Sequence, residues 1–132
     1  MKITAINLIN LDVPFTHRSG EHLQYWIPAW RIVQLCRLTM DNGIVGWGET
    51  IVHATHATVP DDIEKRIVGE EAAGLLWNDS LGSGVQMALF DAIAKNENVP
   101  VHSLLGSKVR DWCPISWWAC DMEQEEWERE CK

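Results

Sequence analysis

The sequence predicts an α+β fold, in which a three-stranded antiparallel meander is followed by a bundle of about three to four helices. Apolar and polar residues alternate through residues 3–13 and again through residues 30–49, which is the period of half-buried strands. Asp41-Asn42-Gly43 is a hairpin signal between them, because Asn and Gly tolerate positive φ. From residue 58 the apolar residues recur at helical spacing. Strands followed by helices are typical of α+β domains.

The three strands are predicted at residues 3–13, 30–40 and 44–49. In the third strand, Gly46 and Gly48 lie on either side of Trp47. Cys36 falls within the apolar second strand, where a thiol behaves as a small apolar side chain. We therefore expect Cys36 in the core.

Two short helices are predicted after the strands. Thr58 is expected to cap the first, with Pro60 and Asp61 in its first turn and Gly69 at its end. Its apolar stripe consists of Ile63 and Ile67. The second short helix is expected at residues 70–77.

The longest helix is predicted to begin at Ser83, with Gln86 at the spacing of a capping box. Asp91 and Lys95 are four residues apart and can form an ion pair across one turn. Asn98 ends the helix, and a short helix over residues 101–105 follows it and stops at Gly106. The residues predicted to form the buried face of the long helix are Val85, Ala88, Leu89, Ala92 and Ile93.

After Asp111 the character of the sequence changes. Residues 113–119 are typical of a short strand, and Asp121 is expected to cap a final helix over residues 123–132. Four of the eight tryptophans lie near this end. Tryptophans usually anchor a core or an interface, and we expect an apolar patch around Trp112, Trp117 and Trp118.

Composition limits the class of protein. The net charge of −8 argues against nucleic acid or an anionic membrane surface as partner. No apolar run approaches the length of about 20 residues that a membrane span needs, and the N-terminus does not resemble a signal peptide. No two of the four cysteines form a Cys-x-x-Cys motif, which argues against a zinc ribbon or a redox motif. Without a secretory signal, reduced thiols in a cytoplasmic protein are the simplest interpretation.

The order of residue types resembles a known family. The run Gly84-Val-Gln-x-Ala-Leu-x-Asp-Ala-x-Ala-Lys95, followed by Pro100-Val-x-x-Leu-Leu-Gly106, resembles the signature of the mandelate racemase and muconate lactonizing enzyme group of the enolase superfamily. Met1-Lys-Ile-Thr-Ala-Ile and Asp41-Asn-Gly-Ile-Val-Gly-Trp-Gly-Glu49 resemble the first strand and second hairpin of its N-terminal capping domain. The resemblance is weakest over residues 16–28 and 53–59.

The resemblance implies an Mg²⁺-dependent enzyme that abstracts the proton α to a carboxylate. Its bases and carboxylate metal ligands lie on barrel strands that would follow residue 132. The expectation is therefore a capping domain at residues 1–111 and the first strand and helix of a truncated barrel at residues 112–132. No catalytic and no metal residue is assigned, no cofactor is expected on this chain, and the chain alone is predicted to be inactive.

The resemblance also implies that two loops of the capping domain close over the mouth of the barrel and determine which substrate binds. The first maps to residues 16–28 and the second to residues 51–59. Arg18 is expected to pair with a substrate carboxylate, the aromatic side chains to line the pocket, and the histidines to hydrogen-bond substrate hydroxyls. The candidate substrate-binding residues are His17, Arg18, Tyr25, Trp26, His53 and His56.

Three functions remain open on the sequence. The first is the lid of an acid-sugar dehydratase, racemase or cycloisomerase that acts on a small carboxylate or acid-sugar substrate and forms a homo-oligomer. The second is a non-catalytic binding or oligomerisation module. The third is a small metal-dependent hydrolase that uses the i, i+3 pair His53 and His56, although no third ligand lies nearby.

Overall fold

A computed structural model of the protein describes residues 1–53, 58–116 and 122–131, without the side chains of residues 17–19 and 130. The strands are β1 (Ile3–Asp12), β2 (Ile32–Met40) and β3 (Val45–Ile51). The helices are α1 (His17–Trp26), α2 (Ile63–Ile67), α3 (Ala72–Leu75), α4 (Ser83–Glu97), α5 (His102–Leu105) and α6 (Gln124–Glu130). Two 3₁₀ turns lie at Pro28–Arg31 and Asp79–Leu81. Among the described residues no helix has both the length and the apolar character to cross a membrane.

The strands form a three-stranded antiparallel sheet in the order β1-β2-β3, which confirms the predicted meander. In the central register, Leu8 lies opposite Cys36, and Cys36 lies opposite Gly48. Side chains on directly opposed residues share a face of the sheet. One row across the sheet is therefore leucine, cysteine and glycine, and that row lies on the face that α4 covers.

The turn between β2 and β3 forms where the sequence predicts it. Gly43 has a φ of +83°, and its N–H donates to the carbonyl of Met40 at 3.0 Å. The side-chain oxygen of Asn42 accepts a hydrogen bond from the N–H of Ile44 at 3.2 Å. A left-handed glycine and an asparagine that bonds its own turn are the two features that make Asn-Gly a hairpin signal.

The hydrophobic core lies between the sheet and the helices. Cys36 is fully buried there, as predicted, and burial raises the pKa of its thiol to about 12. Four of the five residues predicted for the buried face of α4 are fully buried, and Ile93 packs against them partly exposed. The core consists of Ile3, Cys36, Leu38, Met40, Ile63, Ile67, Ala72, Leu81, Val85, Ala88, Leu89 and Ala92.

Helix α4 lies unusually close to β3, because the strand presents glycines to it. A Cβ atom at Gly46 would lie 2.1 Å from the carbonyl oxygen of Ala88, and one at Gly48 would lie 2.1 Å from that of Gly84. Real Cβ atoms do not approach other atoms so closely. Any side chain at either glycine would therefore push the helix away from the sheet.

A polar clasp, formed by Asp91 and Lys95 of α4, holds the helix to the outer edge of β3. The Asp91 carboxylate accepts hydrogen bonds from the N–H of Trp47 at 2.8 Å and from the Lys95 ammonium at 2.6 Å. The same ammonium donates to the carbonyl of Val45 at 2.9 Å. The predicted ion pair thus exists, and it also occupies backbone groups at the sheet edge.

The helix starts differ from the sequence predictions. Gly82, with a φ of +89°, is the N-cap of α4, and the Gln86 amide donates to the Asp79 carboxylate at 2.9 Å. The predicted capping box, which would need Ser83 as N-cap, is therefore wrong. Helix α2 starts at Ile63 rather than near Thr58, after a turn in which the N–H of Ile63 bonds the carbonyl of Pro60.

Helix α3 is shorter than predicted because Glu70 and Glu71 pair with the N-terminal residues of the chain, at the beginning of β1. The N–H of Ile3 donates to the carbonyl of Glu70 at 3.1 Å, and Glu71 forms a β-bridge with Lys2. The N-terminal ammonium also donates to the Glu71 carboxylate at 2.8 Å. These contacts hold both residues extended until the helix begins at Ala72.

The C-terminal segment agrees only in part with the prediction. Helix α6 forms inside the predicted range, but residues 113–116 form no strand, and residues 117–121 lie outside the described residues. Of the predicted patch, Trp112 is 72% exposed, and Trp117 and Trp118 lie outside the described residues, so the patch stays a prediction. Trp26, Trp30, Trp47, Trp77, Trp112 and Trp127 are all exposed, so none of the described tryptophans is a core residue, and their role as interface anchors stays a prediction.

Replacing Gly48 with Ala should strongly destabilise the fold, since the added methyl would collide with the backbone of α4 at Gly84. We expect a loss of about 3 kcal/mol or more in the free energy of unfolding. Urea unfolding followed by circular dichroism measures it. Gly74→Ala in α3 is the matched control, because nothing lies within 4 Å of a Cβ there. Equal losses in both variants would contradict the close approach.

Replacing Asp91 with Ala should cost more than an ordinary helix ion pair. The change leaves the N–H of Trp47 without its acceptor, so we expect a loss of about 1–3 kcal/mol. Asp62→Ala is the control, because Asp62 also forms an i, i+4 pair, with Arg66 at 2.7 Å. That exposed pair should contribute only about 0.5 kcal/mol. Indistinguishable urea midpoints for the two variants would refute the clasp.

Candidate functional site

The two segments expected to form the lid leave the sheet at the same end. Asp12, the last residue of β1, lies opposite Ile32, the first residue of β2. Val33 lies opposite Ile51, the last residue of β3. The β1–β2 connection and the segment after β3 therefore begin side by side, at the end of the sheet opposite the 41–44 hairpin. This shared end of the sheet is the candidate functional site.

The first of these segments is a helix and not the predicted loop. Residues 17–26 form α1, and the 3₁₀ turn Pro28–Arg31 leads into β2, which therefore begins two residues later than predicted. Among the described side chains of α1 only Leu23 is buried, at 8% exposure. A helix with a single buried position produces almost no apolar periodicity, and its sequence contains no signal that separates it from a polar loop.

The aromatic side chains at the end of α1 are exposed and packed against each other. Tyr25 is 76% exposed and Trp26 is 62% exposed. Their ring centroids lie 5.0 Å apart with the planes at 88°, which is the edge-to-face geometry that aromatic pairs prefer. Two large rings held this way present a rigid apolar wall with one phenol hydroxyl. Such a wall suits a partly apolar ligand or a second protein surface.

Arg31 ties α1 to the sheet. Its Nε and Nη2 donate to the two carboxylate oxygens of Asp12, each at 2.8 Å, and its Nη1 donates to the side-chain oxygen of Gln24 at 2.8 Å. A bidentate arginine–carboxylate pair combines charge with a fixed geometry. The guanidinium therefore fixes the position of α1 relative to the ends of β1 and β2, and these three groups are occupied within the protein.

A second contact joins α1 to the C-terminal helix. The Nε2 atom of His22 lies 3.0 Å from a carboxylate oxygen of Glu126 in α6. The His22 side chain is 27% exposed and that of Glu126 is 42% exposed, so water screens this pair. The contact shows that α6 lies against α1.

Of the three histidines predicted to bind substrate, His53 is the one whose side chain lies among the described residues. His53 is exposed and lies in the turn that follows β3. His56 lies outside the described residues, as do the side chains of His17 and Arg18. Within residues 1–53, 58–116 and 122–131, no group of three or more His, Cys, Asp or Glu residues is placed to hold a metal ion. The structure thus brings Tyr25, Trp26 and His53 to one end of the sheet.

Sequence reasoning missed the residues that position this site. Asp12, Gln24 and Arg31 form the network, yet each falls in a different predicted segment. The signal that could have found them is the pairing of the strands, because the carboxylate of Asp12 at the end of β1 lies beside Arg31, which precedes β2. That signal needs the register, which the sequence alone does not give.

Replacing Arg31 with Lys should loosen α1 while leaving the core intact. Lysine keeps the charge but cannot donate to Asp12 and Gln24 at once. We expect amide hydrogens of α1 to exchange roughly tenfold faster, with a change in global stability of about 1 kcal/mol or less. Hydrogen exchange read by mass spectrometry measures it. Arg66→Lys, in the exposed pair with Asp62, is the control. Unchanged α1 exchange would contradict the anchoring role.

Comparison with known proteins identifies the family. The model for "Mandelate racemase / muconate lactonizing enzyme, N-terminal domain" matches residues 30–106. The chain is 32% identical over 105 residues to the chloromuconate cycloisomerase of Cupriavidus pinatubonensis. This alignment covers 63% of this chain and 28% of that enzyme. It is 33% identical over 104 residues to the D-galactonate dehydratase of Verminephrobacter eiseniae, covering 64% of this chain and 26% of that enzyme.

The fold agrees with the sequence match. The crystal structure of the muconate cycloisomerase from Pseudomonas fluorescens superposes with a TM-score of 0.63 at 27% identity, covering 88% of this chain and 35% of that chain. The chain thus spans 26% to 35% of the length of these three relatives. The match contains the β2–β3 hairpin, its glycines and the whole of α4. The chain therefore belongs to the mandelate racemase and muconate lactonizing enzyme family of the enolase superfamily, whose N-terminal domain it contains.

Proposed function

We propose that the chain is the lid and specificity domain of an Mg²⁺-dependent enzyme that abstracts the proton α to a carboxylate. The reaction classes that fit are acid-sugar dehydration, racemisation and cycloisomerisation. Two of its relatives are a cycloisomerase and a dehydratase, and both act on small acids according to their names. A homo-oligomer and a cytoplasmic location belong to the same proposal.

One observation carries the proposal: both lid segments leave the sheet at a single end. The pairs Asp12–Ile32 and Val33–Ile51 fix that end, and the α4–β3 packing keeps the sheet rigid beneath it. A rigid scaffold that presents two polar segments at one edge is the arrangement a closing lid needs. Closure would exclude water from a site beneath these segments.

Within this lid, Tyr25 and Trp26 form a wall against the substrate, and Arg31 holds the wall in place. His53 is positioned at the start of the second segment to hydrogen-bond a substrate hydroxyl. His17, Arg18 and His56 complete the proposed contacts, with Arg18 opposite a substrate carboxylate. These roles are binding roles, and none of them transfers a proton.

The metal and the bases are assigned to the rest of the enzyme. The described part of this chain contains no cluster of three metal-ligating side chains, and the proposal assigns the Mg²⁺ ligands to the rest of the enzyme. We infer that residues 1–111 form the lid domain and that residues 112–132 begin the barrel.

The test is an exchange assay on the intact gene product from its source cells. The enzyme is incubated in deuterium oxide with Mg²⁺ and a panel of acid sugars, muconates and amino-acid-derived carboxylates, and loss of the α-proton signal is followed by NMR. The proposal expects exchange with at least one class of carboxylate, abolished by a chelator. A gene product of 15.0 kDa that exchanges no α-proton would contradict it and favour a non-catalytic module.

The lid role is tested on the active substrate with the double variant Tyr25→Ala, Trp26→Ala. Losing the wall should raise KM roughly tenfold and change kcat less, because these rings bind and do not react. The matched control is Trp77→Ala, which breaks a similar edge-to-face pair with Phe90 at 5.1 Å, away from the site. Equal effects on KM in both variants would argue against a lid.

A further inference from the structure

The second proposed lid segment, residues 51–59, begins beside a contact between β3 and α4. Strand β3 ends at Ile51, which is the first residue of the segment. Two residues earlier, the backbone of Glu49 packs against Gly84 in the first turn of α4, where an added Cβ atom would lie 3.4 Å from the carbonyl carbon of Glu49. The start of α4 therefore supports β3 just before the segment leaves the sheet.

The other end of the segment packs more tightly against the same helix start. Gly82 is the N-cap of α4, and a Cβ atom there would lie 2.8 Å from the carbonyl oxygen of Thr58 and 2.9 Å from the Cα atom of Val59. These are backbone atoms, which cannot rotate away as the tip of a flexible side chain can. Any residue with a Cβ atom at position 82 must therefore displace either α4 or the end of the segment.

Helix α4 is the less movable of these two partners. It lies against Gly46 and Gly48 of β3 at a distance that leaves no space for a Cβ atom. The end of the segment is held by fewer contacts, since Val59 is only partly buried against the core and Thr58 is exposed. A larger residue at position 82 should therefore displace the end of the segment and leave α4 in place.

The backbone at Gly82 gives a second reason for glycine at this position. Its φ of +89° and ψ of 153° lie in a region that residues with a Cβ atom avoid. This conformation joins the 3₁₀ turn Asp79–Leu81 to α4. A test of the contact with the segment must therefore separate the collision from the backbone strain.

We propose that Gly82 is a positioning residue of the second proposed lid segment. The missing Cβ atom lets Thr58 and Val59 close onto the start of α4, and this contact sets where the segment lies relative to the substrate. The inference rests on the proposed function, because it takes residues 51–59 to cover the substrate. Gly82 acts on substrate binding through the segment and takes no part in proton transfer. Small displacements of elements that position a substrate lower catalytic efficiency strongly.

The test compares Gly82→Ala with Gly69→Ala in the intact gene product. Gly69 is the matched control, because its φ is +91° but nothing lies within 4 Å of a Cβ atom there. Both variants strain a positive φ, and only Gly82→Ala collides with the segment. Hydrogen exchange read by mass spectrometry should be roughly tenfold faster over residues 51–59 in Gly82→Ala than in Gly69→Ala. Equal exchange of these residues in the two variants would overturn the proposal.

Kinetics on the carboxylate that the wild-type enzyme turns over test the functional part. Gly82→Ala should raise KM roughly tenfold and change kcat less, whereas Gly69→Ala should leave both nearly unchanged. An active enzyme in which both variants have the wild-type KM contradicts the positioning role and leaves the proposed function standing. A wild-type enzyme that exchanges no α-proton contradicts the proposed function, and the positioning role fails with it.

Val59→Ala keeps the test decisive if Gly82→Ala does not fold. It removes two methyl groups from a partly buried contact with the core and introduces no collision. The end of the segment should loosen, with faster hydrogen exchange over residues 51–59 and a higher KM. Val68→Ala is its control, because Val68 lies outside the segment and is 39% exposed. Identical segment exchange and identical KM in these two variants would count against the proposal.

Discussion

The close contact between α4 and β3 is the constraint on which the rest of the structure depends. Gly46 and Gly48 let the helix backbone approach until a methyl group would no longer fit, and small residues of the helix, Gly84, Ala88 and Ala92, complete the surface. Packing at this density leaves one position for the helix, since any sliding would bring Cβ atoms into the strand. The strand direction, the clasp at its edge and the end of the sheet at which the two proposed lid segments begin all follow from that position.

Stability is distributed unevenly as a result. The buried residues are concentrated in the sheet, α2 and α4, whereas among its described side chains α1 contributes only Leu23. The remaining attachment of α1 is polar, through Arg31 to Asp12 and Gln24 and through His22 to Glu126. Segments held by few apolar contacts open at low free-energy cost, and moving lids come from such segments. The fold thus separates a rigid platform from a segment that is able to move.

The sequence predicted the platform well and the site poorly, for physical reasons. Strand alternation, the Asn42-Gly43 turn and the helical period of α4 are local signals, and the structure confirms them. Helix α1 has no such period, because one buried leucine is enough to place it. The contacts of Arg31, Asp91 and Glu71 join residues 19, 44 and 70 positions apart in the chain. Pairings at that separation depend on the three-dimensional register, and no window of sequence contains them.

The hairpin also determines how readily Asn42 undergoes deamidation. Asn-Gly sequences lose ammonia when the glycine N–H nitrogen attacks the asparagine amide, a reaction that needs a free side chain and a free amide. In the folded chain the N–H of Gly43 is bound to Met40, and the Asn42 side chain bonds both Ile44 and Asn96. We therefore expect deamidation at Asn42 to accumulate only in molecules that have unfolded. The fraction of isoaspartate at this position would record the time a sample has spent out of its native state.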